Sequence, residues 1–320
     1  MFRKVLLPLF ATFVIATCVA GYVYGPPMSA MFLGKPYYLV KPSPRKYASD
    51  ALTIMETMGI HGASDDFNEA KKQVKNQAKS ADSYADTHEA LRAAIKTAGG
   101  KHSNLISPED NVPGTKENTE MPHVEKRGGV AVAKVPEVAQ GPIAQEYADT
   151  LSAGIKEHAR CGAVVDLRGN GGGDMGPMLA GLSPLLPDGT ALEFVTPHNT
   201  SPVTINGNSV KGGGSPVTTS GGKLNVPVAV LVDGETASSG EATLLSFRGL
   251  DNSRSFGKPS AGYASANVMI DLPDGAGLML TTAKDRDRTG AEYMDDPVVP
   301  DVTTDDALEA ALAWLAEQGC

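Results

Sequence analysis

The chain has 320 residues, of which 41% are hydrophobic and 20% charged, enough apolar content for a sizeable core and too much for a disordered chain. A net charge of −9 without a basic stripe excludes a surface built to neutralise nucleic-acid phosphates and is compatible with a cationic partner. Three scattered cysteines, Cys18, Cys161 and Cys320, define neither a disulfide framework nor a Cys-x-x-Cys metal pair.

In chain order, Arg3 and Lys4 precede an uncharged stretch, Val5 to Gly25, long enough to cross a bilayer as a helix. It reads as a signal anchor or a cleaved signal peptide. The poor cleavage site Cys18-Val19-Ala20 and the poor lipoprotein site ending at Cys18 favour the anchor over residues 1–25. A single membrane helix with the folded domain outside the cell membrane is therefore expected. Residues 26–43, rich in Pro, Gly and Tyr, read as a linker. Helical patterning then occupies 44–110, with helices over 46–58, 65–79 and 83–98, the last stopped by Gly99-Gly100. His102-Ser103 follows in a loop, where a lone histidine is more often solvated than catalytic. Residues 111–127 are polar, hold two prolines and read as a loop.

Beyond this point strands and helices alternate. Val130–Val135 and Ala163–Leu167 read as strands on either side of an amphipathic helix over 142–159. A short helix from Met175 should bend or end at Pro184. This order implies parallel strands with helices packed on the sheet. Residues 188–226, rich in Gly, Ser, Thr and Asn, carry short strands at 192–196 and 202–205 and read as a small β-rich lid. The apolar run Pro227–Val232 restores the α/β pattern as a buried strand. Strands at 268–272 and 278–282 and a helix over 305–317 close the chain. The expected fold is α/β: a membrane helix, a helical leader, then a mixed-sheet core over 128–320 flanked by helices.

Two stretches can carry chemistry. Thr236-Ala237-Ser238-Ser239-Gly240-Glu241 joins the strand at 228–232 to a helix beginning near Ser238 or Ser239. A hydroxyl there can be a nucleophile facing helix N–H groups, or merely a cap, with Glu241 completing a capping box. Asp166-Leu167-Arg168-Gly169-Asn170-Gly171-Gly172-Gly173 leaves a strand in a burst of glycine. It can be a tight turn, a dinucleotide fingerprint at Gly171-x-Gly173-x-x-Gly176, or an oxyanion hole, which suits its polarity best. There is no Gly-x-Ser-x-Gly elbow, His-Glu-x-x-His or phosphate loop. His61, His88, His123, His158 and His198 lack ligand spacing, so neither a metal nor another cofactor is expected.

Taken in order, Lys101-His102-Ser103, Asp166–Gly173, Thr236–Glu241 and Pro297-Val298-Val299-Pro300-Asp301-Val302 resemble the C-terminal processing (tail-specific) serine peptidases over roughly residues 83–318. Many members carry a PDZ domain and a lysine base. Here only about 20 residues separate Asp110 from Val130, too few for a PDZ domain, and Gly262-Tyr263-Ala264 stands where a Gly-Lys-Gly would supply the lysine. Lys258, before Pro259, reads as a surface charge. The resemblance is nearest to the Ser–His branch of nisin-resistance proteins. It implies Ser238 as nucleophile and His102 as its base. It also implies an oxyanion hole from the amides of Ser239 and Gly172 or Gly171, and Asp174, Met175 and Tyr263 along the substrate groove. The implied activity is cleavage near the C-terminus of a peptide, with a cationic lantibiotic as first choice. A general tail-processing protease and a non-catalytic binding member of the fold are the alternatives.

Overall fold

A computed structural model describes residues 2–111 and 120–320, with side chains from Thr17 onward. Much of the predicted loop at 111–127 lies outside the described residues. The chain divides into two compact units, Met1–Pro113 with Asn267–Thr282, and Gly114–Ala266 with Ala283–Cys320.

The first unit is built on four helices, α1 (Phe2–Leu33), α2 (Pro44–Met58), α3 (Asp65–Gln77) and α4 (Ala85–Gly99). The segment expected to be a linker from residue 26 is helical as far as Leu33, despite Pro26 and Pro27. Ala30 is buried in the core of this unit, and that packing outweighs the local proline penalty. The side chains of most of the expected anchor lie outside the described residues. Among the described residues, no helix is long and apolar enough to cross a membrane.

Ser43 caps α2 by accepting the Lys46 amide at 3.3 Å, with Pro44 in the first turn, and Ser64 caps α3 through the Phe67 amide. Leu52, Ile54 and Met55 of α2, Phe67 of α3, and Leu91 and Ile95 of α4 form the core. Ile270, Leu272, Leu278 and Leu280 complete it, which is why residues 267–282 belong to this unit rather than to the core predicted over 128–320. Asn104–Ile106 pairs antiparallel with 277–279.

In the second unit, Val228–Val232 lies between Gly162–Asp166 and Ser253–Gly257, all parallel. Val130–Lys134 continues the sheet in parallel, His123–Arg127 closes one edge as a hairpin partner, and Val302–Thr303 forms the other edge. Alternation along the strands separates the two faces. Ala131, Ala133, Val165 and Val230 pack in the cluster that includes residues of α5 (Ala144–His158), α6 (Met175–Leu182) and α7 (Ser239–Leu245). Val132, Val164, Ala229 and Leu231 instead meet Ala307, Ala311 and Leu315 of α8 (Ala307–Glu317). The helix at Met175 ends at Leu182, and a single 3₁₀ turn containing Pro184 follows. Within the segment expected to be a lid, Gly189–Val195, Thr200–Asn206 and Ser209–Lys211 form an antiparallel meander. The strands ending at Asp166 and Val232 are bonded neighbours. The two loops of chemical interest therefore emerge side by side at the carboxyl edge of the sheet, where α/β folds place their ligands.

Cys161 and Cys320 form a disulfide across 159 residues. Their separation gave no framework pattern to read; folding alone brings the last residue back to the strand Gly162–Asp166. Closing so long a loop stabilises by about 5 kcal/mol in the chain-entropy model and about 2–4 kcal/mol in typical measurements. Reduction, or Cys161→Ser, is expected to lower the melting temperature of the second unit by several degrees. Calorimetry with and without reductant checks this, and superimposable melts would show that the bridge adds nothing.

Candidate active site

The turn after Val232 is fixed before α7 begins. Thr236 is fully buried and donates its hydroxyl to the Leu167 carbonyl at 2.9 Å, while its own carbonyl accepts the Ala261 amide. The Ala237 amide donates to the Asn170 carbonyl at 2.9 Å. Ser238 then takes φ 51° and ψ −119°, and it is the one non-glycine residue at positive φ among those described. Such a conformation costs about 1–3 kcal/mol and persists only where its surroundings impose it.

Glu241 does most of the imposing. The carboxylate is fully buried and receives four donors: the Ser238 amide at 2.9 Å, the Tyr263 amide at 2.7 Å, the Gly262 amide at 2.8 Å, and the Ser260 hydroxyl. Two fall on each oxygen. Glu241 thus does more than the helix cap its spacing suggests; it ties the Ser238 turn to the 260–263 loop. Burial raises its pKa against the opposing pull of these hydrogen bonds. Asp285 is also buried, with Oδ1 lacking a hydrogen-bond partner among the described residues. Burial, and then the Glu241 charge, push its carboxyl well above the usual range, toward the neutral form.

The glycine loop lies against this turn. A side chain at Gly172, whose φ is 110°, would place its Cβ 2.8 Å from the Ser238 Cβ, so only glycine permits the approach. Asn170, which is completely buried, donates to the Val135 carbonyl at 2.8 Å and accepts the Gly172 amide at 2.9 Å. The Gly172 N–H expected in the oxyanion hole is therefore held by Asn170 in this structure. The Ser239 amide has no acceptor among the described residues, and the Ser239 hydroxyl donates to the Gly173 carbonyl at 2.7 Å. At the strand end, burial would raise Asp166, but Arg168 at 2.7 Å and Lys134 at 3.6 Å prevail and hold its carboxyl below the usual range.

Of the expected groove residues, Asp174 and Met175 are buried. Asp174 caps α6, its Oδ1 accepting the Gly176 amide and, at 2.8 Å, the Ser215 amide from the lid segment. Its Oδ2 has no partner among the described residues. Tyr263 is half-buried, with its amide on Glu241. Lys258 is exposed and paired with Asp305 at 2.8 Å, a surface charge as its sequence context suggests.

His102 belongs to the first unit, in the loop after α4. The loop is pinned through its neighbour: buried Ser103 donates to the Thr281 hydroxyl at 3.0 Å and accepts the Thr281 amide at 2.9 Å, and Thr281 donates onward to Asn267 at 2.7 Å. A Cβ on Gly99 would fall 2.0 Å from the Ser103 hydroxyl, so the helix must end on glycine there. Burial, then the Lys96 and Lys101 cations, pull the His102 pKa down to about 4 and keep the imidazole neutral at physiological pH. The pinning partners Thr281 and Asn267 and the buried Asp285 are absent from the motif reading, which contains Asn170 and Glu241 but not their bonds to Val135 and to the 260–263 loop. Their roles depend on contacts distant in sequence.

A strained serine at a helix tip, a glycine loop against it and an unpaired amide beside it suit acyl transfer. The model of peptidase family S41 matches residues 129–304. The nisin-resistance protein of Lactococcus lactis subsp. lactis is 39% identical over 301 residues, covering 90% of this chain and 95% of that one. A lipoprotein structure from Streptococcus agalactiae superposes with a TM-score of 0.77 at 28% identity, covering 88% of this chain and 99% of the other. The photosystem II D1 C-terminal processing protease, at 13% identity and a TM-score of 0.58 over 87% of this chain and 97% of its own, shares the fold. With the family model spanning more than half of its length, the chain belongs to peptidase family S41.

Proposed function

We propose that the chain is a serine peptidase that cuts near the C-terminus of a peptide, with a cationic lantibiotic of the nisin type as substrate. The conformation of Ser238 carries the reading: a non-glycine residue held at positive φ beside an unpaired amide, in a chain so similar to a nisin-resistance protein. Ser238 Oγ attacks the scissile carbonyl and passes its proton to His102; the C–N bond breaks as that proton reaches the leaving amine. Water, deprotonated by the same imidazole, then attacks the acyl carbon, and the C–Oγ bond breaks as that proton returns to Ser238. The Ser239 amide receives the oxyanion, joined by Gly172 once its N–H turns from Asn170, with Gly171 the other candidate. Asp174, Met175 and Tyr263 line the groove when the lid segment around Ser215 lifts. The N-terminal segment anchors the enzyme at the cell membrane with its catalytic part outside. The Cys161–Cys320 bridge supports that location, because such bonds persist in oxidising compartments.

Mass spectrometry of nisin after incubation with the enzyme tests this directly. A C-terminal fragment formed by wild type and not by Ser238→Ala is the expected result. Intact nisin, under conditions where an unstructured peptide tail is trimmed, would favour a general tail protease. No cleavage of either, with no fluorophosphonate labelling of Ser238, would favour a binding member of the fold.

The low pKa of His102 predicts the pH profile. A base works only when neutral, so the acid limb of kcat/KM should fall near pH 4 rather than near the ordinary imidazole value. Lys101→Ala removes a cation that disfavours the imidazolium, so it should move that limb upward. An unmoved limb at ordinary histidine pH would remove His102 from the base role.

A further inference from the structure

We propose that the α1–α3 face of the first unit docks onto an anionic phospholipid bilayer. This goes beyond the membrane anchor and is independent of the peptidase chemistry. Two adjoining cavities share Arg45 and Ser49. One, of about 550 Å³ beside α2 and α3, is lined by Arg45, Lys72, Lys75 and Lys79 and by no acidic residue. The other, of about 370 Å³, has Tyr22, Val23 and Tyr24 of α1 on its rim.

The cations are largely uncommitted. Among the described residues, Arg45 and Lys75 have no carboxylate partner within salt-bridge distance. Among the described residues, the Lys79 ammonium has no carboxylate partner and donates to the Asn76 amide oxygen at 2.9 Å. Lys72 pairs with Glu69 at 3.0 Å, but both side chains are exposed and such a pair contributes little. By contrast, Asp50 holds Lys46 at 2.9 Å. Four clustered cations on a chain of net charge −9 repel one another and attract an external anion.

The apolar rim identifies the source of that anion. Tyr22 and Tyr24 are 48% and 65% exposed, and farther along the same segment Phe32 and Leu39 are 80% and 94% exposed. A free phosphate or a soluble polyanion gives such side chains nothing to bury. A bilayer offers phosphates to the cations and, a few ångströms deeper, apolar depth to the aromatic rings. Tyr22 and Tyr24 also lie at the end of the apolar stretch Val5–Gly25, and the anchor proposed above would bring this face to lipid.

The test is co-flotation of the purified full-length chain with vesicles of phosphatidylcholine alone or mixed with phosphatidylglycerol. Each cation near an anionic surface is worth about fivefold in partitioning, so four give a preference for the mixed vesicles of roughly 600-fold, weakening with salt. The combined variant Arg45→Gln, Lys72→Gln, Lys75→Gln, Lys79→Gln should lose that preference while binding neutral vesicles and cleaving peptide as wild type does. Tyr22→Ser with Tyr24→Ser should weaken binding to both kinds. An anchor acting alone would bind both compositions equally, and that result would overturn the proposal. So would a preference that survives in the charge variant, or one abolished by soluble polyphosphate at matched phosphate concentration and ionic strength, which would assign the groove to a soluble anion.

Discussion

Ser238→Ala should lower kcat by about 10⁴-fold or more, the loss expected when a covalent nucleophile is removed and only binding and oxyanion stabilisation remain. The fold should survive, because Oγ is small and the turn is held by Ala237, Glu241 and the carbonyl that accepts the Ala242 amide. His102→Ala should cost a comparable factor if the imidazole takes the proton. A companion variant separates conformation from chemistry. Ser238→Gly also lacks the hydroxyl but removes the Cβ that makes φ 51° costly. It should melt above Ser238→Ala by about 1 kcal/mol of stability, because a β-carbon at positive φ destabilises by more than the added backbone freedom of glycine. Turnover assays and melting curves on both variants decide the matter. Near-wild-type cleavage by either would remove Ser238 from the mechanism, and equal melts would show that the turn is not strained.

The parts of the molecule set by local pattern are those the sequence discloses. The wholly apolar Val228–Val232 can only be a buried strand, and Thr236–Glu241 breaks it with a turn and a helix start. Gly99-Gly100 stops α4 where predicted, and the meander over 189–211 lies in the stretch whose short strands the sequence marks at 192–196 and 202–205. What the pattern conceals comes from contacts across the chain. Cys161 meets Cys320, and strand residues 267–282 join helices some two hundred positions earlier because Ile270, Leu278 and Leu280 fill their apolar face. The bond from the Ser215 amide to Asp174 is equally non-local, and with the Gly176 amide it makes Asp174 the cap of α6. Glu241 shows the boundary most clearly. Its spacing from Ser238 announces a cap, while the three donors from Ser260, Gly262 and Tyr263 are visible only once the chain has folded.

Glu241→Gln is expected to reduce kcat by at least about 10²-fold, although Glu241 is never required to touch substrate. Each carboxylate oxygen accepts two donors. An amide has one accepting oxygen, so whichever way Gln turns, its NH₂ faces two N–H groups or an N–H and a hydroxyl. Buried hydrogen bonds to a charged group are worth about 1.5–3 kcal/mol each. Losing two exceeds the roughly 1–3 kcal/mol stored in the Ser238 backbone. The turn should then relax, and a displacement of about 1 Å at a nucleophile is enough to cost about 10² in rate. The loss should appear chiefly in kcat through the Ser238 amide, with a smaller rise in KM because the same carboxylate holds the Tyr263 amide. Asp285→Asn supplies the contrast. A carboxyl already pushed toward its neutral form loses no charge on becoming an amide, so this variant should retain activity at neutral pH. It should also resist alkaline destabilisation better than wild type: Asp285, with its folded pKa raised, stabilises the fold only while protonated, and that contribution fades as rising pH ionises it beside Glu241. Active-site titration of the folded fraction keeps unfolding separate from misplacement. A Gln variant with wild-type kcat per titrated site would show that the nucleophile turn holds its shape without the carboxylate.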